Sequence, residues 1–139
     1  MAGEKRFETR VKTWLESLGI YGLGTPPEKM PVSSIGYWEK RWGGGYSKSG
    51  LPDMHLVVKG INIDVELKDR SGRVNKIQKF MLAQINNSGS IGVLLFPDGF
   101  EEFKELVKGV IDCSLVIPEL EHLKTVHSNS KCDILTDFK

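Results

Sequence analysis

The sequence predicts an α/β domain in which a central mixed β-sheet is flanked by α-helices, in the order αβββαβ. Three observations predict this class: segments with helical spacing of apolar residues, two strands with alternating polar and apolar residues, and a short, wholly apolar run. A chain of 139 residues suits one compact core, so we take residues 1–139 as a single domain.

The first half of the chain contains one predicted helix and one predicted strand. Residues 4–18 place apolar side chains at spacings of three and four, as an amphipathic helix requires, and Gly19 is a natural stop. Glycines and prolines over residues 22–31 exclude a long regular element, so we expect a turn or loop before a strand near residues 35–42. A glycine-rich surface connection follows over residues 43–52.

The second half contains a hairpin, described below, and then three further elements. A helix is predicted over residues 75–87, and residues 91–96 form the apolar run that is typical of a buried central strand. Another helix is expected at about residues 99–108. The pattern beyond it is ambiguous, with a strand at residues 114–117 and a helical turn after Pro118 as candidates.

Composition limits the class of protein. No segment approaches the roughly 18 apolar residues that span a bilayer, and the charged first residues lack the apolar core of a signal peptide. We therefore expect a cytoplasmic protein with no membrane partner. Cys113 and Cys132 do not have metal-binding spacing, so a structural zinc site is not expected, and a disulfide between them stays open.

Charge is distributed unevenly along the chain, although the net charge is only +1. Residues 1–97 carry 14 Lys and Arg against 9 Asp and Glu, whereas residues 98–139 carry 5 against 9. Such asymmetry favours a domain with one side that meets phosphates.

The hairpin over residues 53–68 sorts its side chains by chemistry. If the two-residue turn is Lys59 and Gly60, residues whose numbers sum to 119 face each other and each pair points to one side of the sheet. One face is then wholly apolar and suited to packing against helices: Met54 with Val65, Leu56 with Ile63, and Val58 with Ile61. The other face pairs Asp53 with Glu66, His55 with Asp64, and Val57 with Asn62, and Lys68 joins it.

Asp53 and Glu66 form the candidate metal site. Like charges placed opposite each other on a sheet are destabilising, and a hard cation such as Mg²⁺ removes the repulsion while keeping positions for water and phosphate oxygens. Lys68 lies one pleat repeat beyond Glu66, where its ammonium can orient or help deprotonate a water molecule. The alternative interpretation is a solvated pair of carboxylates with Lys68 as a salt-bridge partner.

The residues of this hairpin also carry a family resemblance. The segment Gly50-Leu51-Pro52-Asp53, followed by Glu66-Leu67-Lys68, resembles the signature of the PD-(D/E)XK nuclease superfamily. Residues 43–96 as a whole resemble the small stand-alone VRR-NUC nucleases of phages and bacteria. The resemblance implies a restriction-endonuclease-like core and Mg²⁺- or Mn²⁺-dependent cleavage of DNA in a bacterial cell, often at branched structures such as Holliday junctions or flaps.

The same resemblance implies the roles of the hairpin residues. Asp53 and Glu66 would bind the metal together with the backbone carbonyl of Leu67, and Lys68 would be catalytic.

Two residues outside the hairpin are assigned by the resemblance as well. Glu8 matches the first-helix glutamate of related archaeal junction resolvases and would add a carboxylate to the metal site. Gln78 borders the apolar stripe of its helix, and in this fold a glutamine at that point often supports the catalytic lysine or a phosphate. The alternative for Glu8 is an exposed helix residue without a role in the site. The alternative for Gln78 is a residue at the boundary of the apolar stripe, also without a role.

Basic residues on both sides of the hairpin are the candidate DNA contacts. The first group is interleaved with aromatic side chains that can stack on unpaired bases, although Trp38 and Trp42 can equally be core residues. The second group leads into the Gln78 helix. The candidates are Lys40, Arg41 and Lys48 in the first group, and Arg70, Arg73 and Lys76 in the second.

The leading hypothesis is a structure-selective DNA endonuclease without an organic cofactor. Symmetric cleavage of a four-way junction needs two copies of such a site, so a homodimer is expected, with the glycine-rich connection and the C-terminal apolar residues as candidates for its interface. The main alternative is a catalytically silent DNA-binding module on the same fold. A small-molecule phosphate binder finds no support, because no P-loop or GxGxxG pattern is present.

Overall fold

A computed structural model describes residues 2–41, 50–112 and 132–134, the last of these as backbone alone. Its helices and strands, in chain order, are α1 (Ala2–Ser17), β1 (Ile20–Gly22), β2 (Gly36–Lys40), β3 (Met54–Val58), β4 (Ile61–Leu67), α2 (Lys76–Asn87), β5 (Ile91–Leu95), α3 (Phe100–Ile111) and β6 (Cys132–Ile134). Short 3₁₀ helices cover Pro27–Lys29 and Pro97–Gly99.

Within the described residues, the strands form one six-stranded sheet in the order β1-β2-β3-β4-β5-β6. β1 pairs with β2, and β4 with β5, in parallel, whereas the other neighbours are antiparallel. The predicted α/β class with a mixed sheet flanked by helices is therefore confirmed.

The tight turn between β3 and β4 fixes the register of the hairpin. Lys59 and Gly60 both have positive φ, 49° and 84°, as a two-residue type I′ turn requires. Met54 pairs with Val65 and Val58 with Ile61, so the predicted register is confirmed. Ile61 departs from the prediction of a packed apolar face, because it lies next to the turn and its side chain is 45% exposed.

Two short strands were not predicted. β6 pairs antiparallel with β5 at Leu95↔Cys132, a position for which the sequence had suggested no strand. Residues 20–22 form β1, which pairs in parallel with β2 at Ile20↔Gly36. The glycines and prolines that follow do break the chain, but the break comes after Gly22. The predicted strand at residues 114–117, the helical turn after Pro118 and most of the glycine-rich connection lie outside the described residues.

The core lies on the apolar face of the hairpin, beneath α1 and α3. The two helices meet through edge-to-face aromatic contacts, with 5.5 Å between the ring centroids of Phe7 and Phe100. Neither these helices nor α2, the other α-helix among the described residues, is long and apolar enough to cross a membrane. Fully buried core side chains include Val11 and Leu15 of α1, Met54, Leu56 and Ile63 of the hairpin, and Phe103 and Val107 of α3.

Helix α2 packs on the opposite, polar face of the sheet, and the Asn86 side chain links it to β5 through hydrogen bonds. The Asn86 amide nitrogen donates to Leu82 O and Gly92 O, at 3.1 and 2.9 Å, and its amide oxygen accepts from Gly92 N at 2.8 Å. Because Asn86 is buried, these bonds satisfy backbone groups of β5 that water does not reach.

We expect Asn86→Ala to lower the free energy of unfolding by about 3 kcal/mol, since it leaves two buried polar groups of Gly92 unsatisfied. Urea denaturation followed by circular dichroism measures the change. Asn87→Ala is the matched control, because Asn87 is the next residue and is exposed. Equal losses in both variants would contradict a specific role for the buried amide.

Candidate active site

Asp53 lies directly before β3, with its carboxylate fixed to β4. Asp53 Oδ2 accepts a hydrogen bond of 2.9 Å from the backbone nitrogen of Leu67. The hairpin ladder ends at Met54↔Val65, and Asp53 and Glu66 are the residues directly beyond that last pair, close enough for the charge of Asp53 to act on Glu66. The two carboxylates are thereby held together by the backbone.

Glu66 is the most deeply buried charged side chain of the site, with 3% of its surface exposed. Its Oε2 accepts from Gln78 Nε2 at 3.0 Å and lies 3.3 Å from Lys68 Nζ. Its Oε1 is buried and has no hydrogen-bond partner among the described residues. A buried carboxylate oxygen without a partner is destabilising, so this atom calls for a ligand.

The environment of Glu66 opposes its ionisation. Burial, and then the charge of Asp53, raise the pKa of Glu66 to about 7, although the Lys68 ammonium acts in the opposite direction. A cation bound between the two carboxylates would reverse this balance, because it favours the ionised form of both.

Asp53 and Glu66 fit a hard divalent cation by their chemistry. Mg²⁺ is commonly held by one or two carboxylates and keeps its other positions for water and phosphate. In residues 2–41 and 50–112, no group of three or more His, Cys, Asp or Glu side chains is arranged to hold a metal, so the site offers two carboxylates and no closed cage. An open site of this kind leaves room for a substrate oxygen.

Lys68 lies at the end of β4 and reaches back to Glu66. Its backbone nitrogen donates to Leu95 O at 3.0 Å, which fixes the start of its side chain against β5. Gly72 provides space for the stem: a Cβ atom at position 72 would lie 3.0 Å from Lys68 Cβ and 3.1 Å from Lys68 Cδ. These contacts are tighter than normal packing, so Gly72 helps to set the position of the ammonium.

Gln78 contacts the carboxylate Glu66, whereas the resemblance implied support for the lysine or a phosphate. It is the third residue of α2 and forms a capping box with Asn75: Gln78 N donates to Asn75 Oδ1, and Asn75 N donates to Gln78 Oε1. This leaves Nε2 to donate to Glu66. Gln78 therefore positions a carboxylate and is itself held by the helix cap.

Gly50 brings the Pro52-Asp53 segment against the start of α2. It has a φ of 86°, which is unfavourable for other residues, and any Cβ atom there would overlap the side chain of Ile77. Only glycine allows this approach, which places the Asp53 and Gln78 segments side by side.

Two glutamates of α1 lie near the site, and they differ in their partners. Glu8 binds Lys12 Nζ at 2.7 Å through one oxygen and Lys40 Nζ at 2.6 Å through the other. Burial alone would raise the pKa of Glu8, but the hydrogen bonds from the two lysines outweigh it and lower the pKa below its ordinary value. Both oxygens of the predicted metal ligand are thus occupied by ammonium groups.

Glu4 is the glutamate of α1 whose pKa is affected by the charges of Asp53 and Lys68. Burial, and then the charge of Asp53, raise the pKa of Glu4 above its ordinary value, while Lys68 lowers it. Helical spacing puts Glu4 and Glu8 on the same face of α1, so the sequence alone did not distinguish them. Glu4 was missed for that reason.

The first group of predicted DNA contacts is used largely inside the protein. Lys40 pairs with Glu8, as described above. Arg41 Nη1 lies 2.9 Å from Asp64 Oδ1 and donates to Pro52 O at 3.3 Å, while its backbone nitrogen donates to Asp53 O at 2.7 Å. Arg41 therefore holds the Asp53 segment in place. Lys48 lies outside the described residues.

Asp64 links Arg41 to His55 on the polar face of the hairpin. Its Oδ1 lies 2.9 Å from His55 Nδ1 as well as from Arg41, and only 7% of its surface is exposed. The predicted register had placed His55 opposite Asp64 without a role. No local sequence signal identifies Arg41 as their partner, because it comes from a different strand segment.

The second group of predicted DNA contacts remains available. Arg70, Arg73 and Lys76 are exposed, and none forms an ion pair within the described part of the chain. Trp38 packs against the core and carries Lys12 Nζ over its ring at 4.7 Å, which favours the core interpretation for this tryptophan. Trp42 lies outside the described residues.

Comparison of the chain with known protein families, curated proteins and solved structures yields no match.

Proposed function

We propose that this chain is a Mg²⁺- or Mn²⁺-dependent DNA endonuclease, a phosphodiester hydrolase with a restriction-endonuclease-like core. The observation that carries the proposal is the unpartnered, buried Oε1 of Glu66, next to Asp53 and Lys68. The two nitrogen donors near Glu66, Gln78 Nε2 and Lys68 Nζ, contact its other oxygen, which leaves Oε1 for a cation on the side of Asp53. The Leu67 carbonyl would be a further oxygen ligand.

In this hydrolysis, a water oxygen bonds to phosphorus and the bond from phosphorus to one ester oxygen breaks, with a proton going to the leaving oxygen. A divalent cation at the carboxylates supplies Lewis-acid stabilisation of the phosphate and acidifies water. Lys68 Nζ stabilises the charge that develops on the phosphate and can hold or release a proton. Gln78 and the Leu67 amide keep Glu66 and Asp53 oriented for this task.

A preference for branched DNA and a homodimeric assembly complete the proposal. The exposed Arg70, Arg73 and Lys76 beside the carboxylates support binding to a phosphate backbone. Two copies of the site would cut the two strands of a junction. The segments expected to form the dimer interface, residues 43–49 and those after 112, lie almost wholly outside the described part.

The direct experiment incubates the protein with labelled four-way junction, flap and linear duplex DNA, with Mg²⁺, with Mn²⁺ or with a chelator. We expect cleavage only with metal and faster cleavage of branched DNA. Binding to DNA without cleavage of any substrate, by folded protein, would replace this proposal with the silent binding module. Equal rates on linear and branched DNA would remove the structural preference alone.

The two glutamates of α1 provide a matched pair of variants. We expect Glu4→Gln to weaken activation by Mn²⁺ about tenfold, because Glu4 lies in the field of Asp53 and can act as an outer-shell carboxylate. Glu8→Gln, whose partners are lysines, should leave the Mn²⁺ concentration for half-maximal activity within about twofold. If Glu8→Gln weakened activation by Mn²⁺ more than Glu4→Gln did, the additional carboxylate of the metal site would be Glu8.

Gly72→Ala tests the placement of Lys68. An added Cβ must shift the lysine stem by a few tenths of an ångström, and we expect kcat to fall roughly tenfold with little change in KM. Single-turnover kinetics at saturating metal measure the change. If kcat of Gly72→Ala equals that of the native protein, the position of Lys68 does not depend on Gly72.

A further inference from the structure

A cleft of about 570 Å³ lies beside the candidate active site, between the first turns of α1 and the loop that follows β4. Arg6, Arg10 and Arg70 line it, with Phe7 and Pro97 as apolar walls. Arg6 and Arg10 carry no role in the metal site or in any contact that builds it. A recess of this volume is in the size range that holds one nucleotide-sized ligand.

The three guanidinium groups give the cleft a positive charge. Arg6 and Arg10 are four residues apart on α1, a spacing at which like charges repel. In the described part of the chain, no carboxylate forms an ion pair with Arg6, Arg10 or Arg70. Ion pairing among the described residues therefore does not account for this concentration of arginines.

Asp69 is the carboxylate of the cleft, and its interactions are local. Its Oδ1 accepts from the backbone nitrogen and the hydroxyl of Ser71, both at 3.0 Å. Asp69 therefore shapes the loop that carries Arg70, and positive charge dominates the cleft.

Arg10 is held in place before any ligand arrives. Its Cζ lies 5.4 Å from the centroid of the Phe100 ring and 5.8 Å from that of Phe7. Stacking of a guanidinium on aromatic rings restricts its motion while its N–H groups stay available. Less conformational entropy is then lost when an anion binds.

The cleft adjoins the active site directly. Asp69 and Arg70 follow Lys68 in the chain, and a Cβ atom on Gly3 would lie 3.6 Å from Asp69. Glu4, the next residue of α1, is near enough for the charges of Asp53 and Lys68 to affect its pKa. A DNA strand bound at the two carboxylates and running past Lys68 would therefore enter the cleft.

We propose that this cleft binds the nucleotide of the cleaved DNA strand next to the scissile phosphate, with its phosphate on Arg6, Arg10 and Arg70. The inference rests on the proposed nuclease function and adds a subsite to it. Guanidinium groups match phosphate oxygens in pairs of parallel hydrogen bonds, and the apolar walls suit the sugar or base.

The test is DNA binding by the triple variant Arg6→Gln, Arg10→Gln, Arg70→Gln, measured by fluorescence anisotropy with a labelled branched DNA. Every protein in this binding experiment, including the control described next, also carries Lys68→Ala, so that cleavage of the DNA does not interfere with the measurement. The control variant, Lys29→Gln, Lys59→Gln, Lys108→Gln, removes the same charge elsewhere. We expect the arginine variant to bind roughly 10- to 100-fold more weakly than the control, and the slope of log K against log salt to become smaller by about 1, as for the loss of one phosphate contact.

The outcomes separate the cleft from the nuclease activity. If the native chain cleaves DNA but the arginine variant matches the control in affinity and salt slope, the cleft proposal is overturned and the nuclease proposal stands. If the native chain cleaves no DNA but the arginine variant binds more weakly than the control, the cleft is supported as a DNA site and the nuclease proposal fails. Circular dichroism of each variant confirms that the exposed substitutions leave the fold intact.

Discussion

Replacing Lys68 with alanine is expected to lower the rate of DNA cleavage by roughly 10²- to 10⁴-fold at saturating Mg²⁺, the range that follows loss of a proton-transfer or charge-stabilising group. Lys68 is the ammonium that lies 3.3 Å from Glu66 Oε2, at the open side of the carboxylate pair. Without it, charge that develops on the phosphate has less stabilisation. Single-turnover kinetics over a series of pH values above 7 measure the effect, because the Lys68 ammonium lowers the pKa of Glu66 and its loss shifts the pH at which Glu66 ionises.

Two further variants distinguish the roles of this side chain. Lys68→Arg keeps the positive charge but hardly releases a proton, so recovery of most of the rate assigns Lys68 to charge stabilisation, and a loss like that of alanine assigns it to proton transfer. Lys108→Ala removes an exposed lysine at the end of α3 and should leave the rate unchanged. Cleavage by Lys68→Ala at the native rate would remove Lys68 from the mechanism.

The hairpin could be predicted in detail because its determinants are local. A glycine in a two-residue turn sets the register, and the alternation of polar and apolar residues sets which side each residue faces. The same two facts predict from the sequence that Asp53 and Glu66 lie opposite each other. Helices α1 and α2 were likewise predictable to within two residues, since their apolar spacing and the Asn75 cap are sequence signals.

Features that depend on distant partners could not be predicted in this way. β1 is three residues long and exists because it pairs in parallel with β2, about sixteen residues later. Lys40 and Arg41 read as free phosphate ligands in the sequence, whereas Glu8 and Asp64 bind them in the fold. Only the packing of α1 and β2 against the hairpin shows which charges are neutralised.

The role of Gln78 lies between these cases. Its position at the edge of the apolar stripe of α2 correctly indicated that it lies close to the sheet. Which active-site group it contacts depends on the rotation of the helix, and the capping box with Asn75 fixes that rotation. A sequence motif thus identified the residue, and the helix cap determined its partner.

Glu66 makes the free energy of unfolding fall as pH rises, whereas a carboxylate with a lowered pKa makes it rise. Its pKa is about 7 in the folded protein against an ordinary value of 4.5, so between these values the folded protein binds more protons than the unfolded chain. The free energy of unfolding therefore falls as pH rises from 4.5 to 7. Above pH 7 the metal-free protein is less stable by about 3 kcal/mol than it would be with a neutral side chain at this position.

We accordingly expect Glu66→Gln to stabilise the metal-free protein by about 3 kcal/mol at pH 8 and to have little effect near pH 4.5. Urea denaturation at both pH values measures the difference, in the presence of a chelator. Asp98→Asn is the control, because Asp98 is exposed and lies outside the site. A stabilisation that is the same at both pH values would show that charge at Glu66 is not its cause.

Addition of Mg²⁺ should reverse the order of stability. If the cation binds Asp53 and Glu66 in the native chain, at 1,000 times its dissociation constant it adds about 4.1 kcal/mol to the free energy of unfolding, which exceeds the difference of about 3 kcal/mol between the metal-free proteins. Glu66→Gln keeps the Lys68 and Gln78 side chains but lacks the second negative charge, so Mg²⁺ should stabilise it far less. An equal gain in both proteins would place the cation elsewhere, and the burial of Glu66 would then need another explanation.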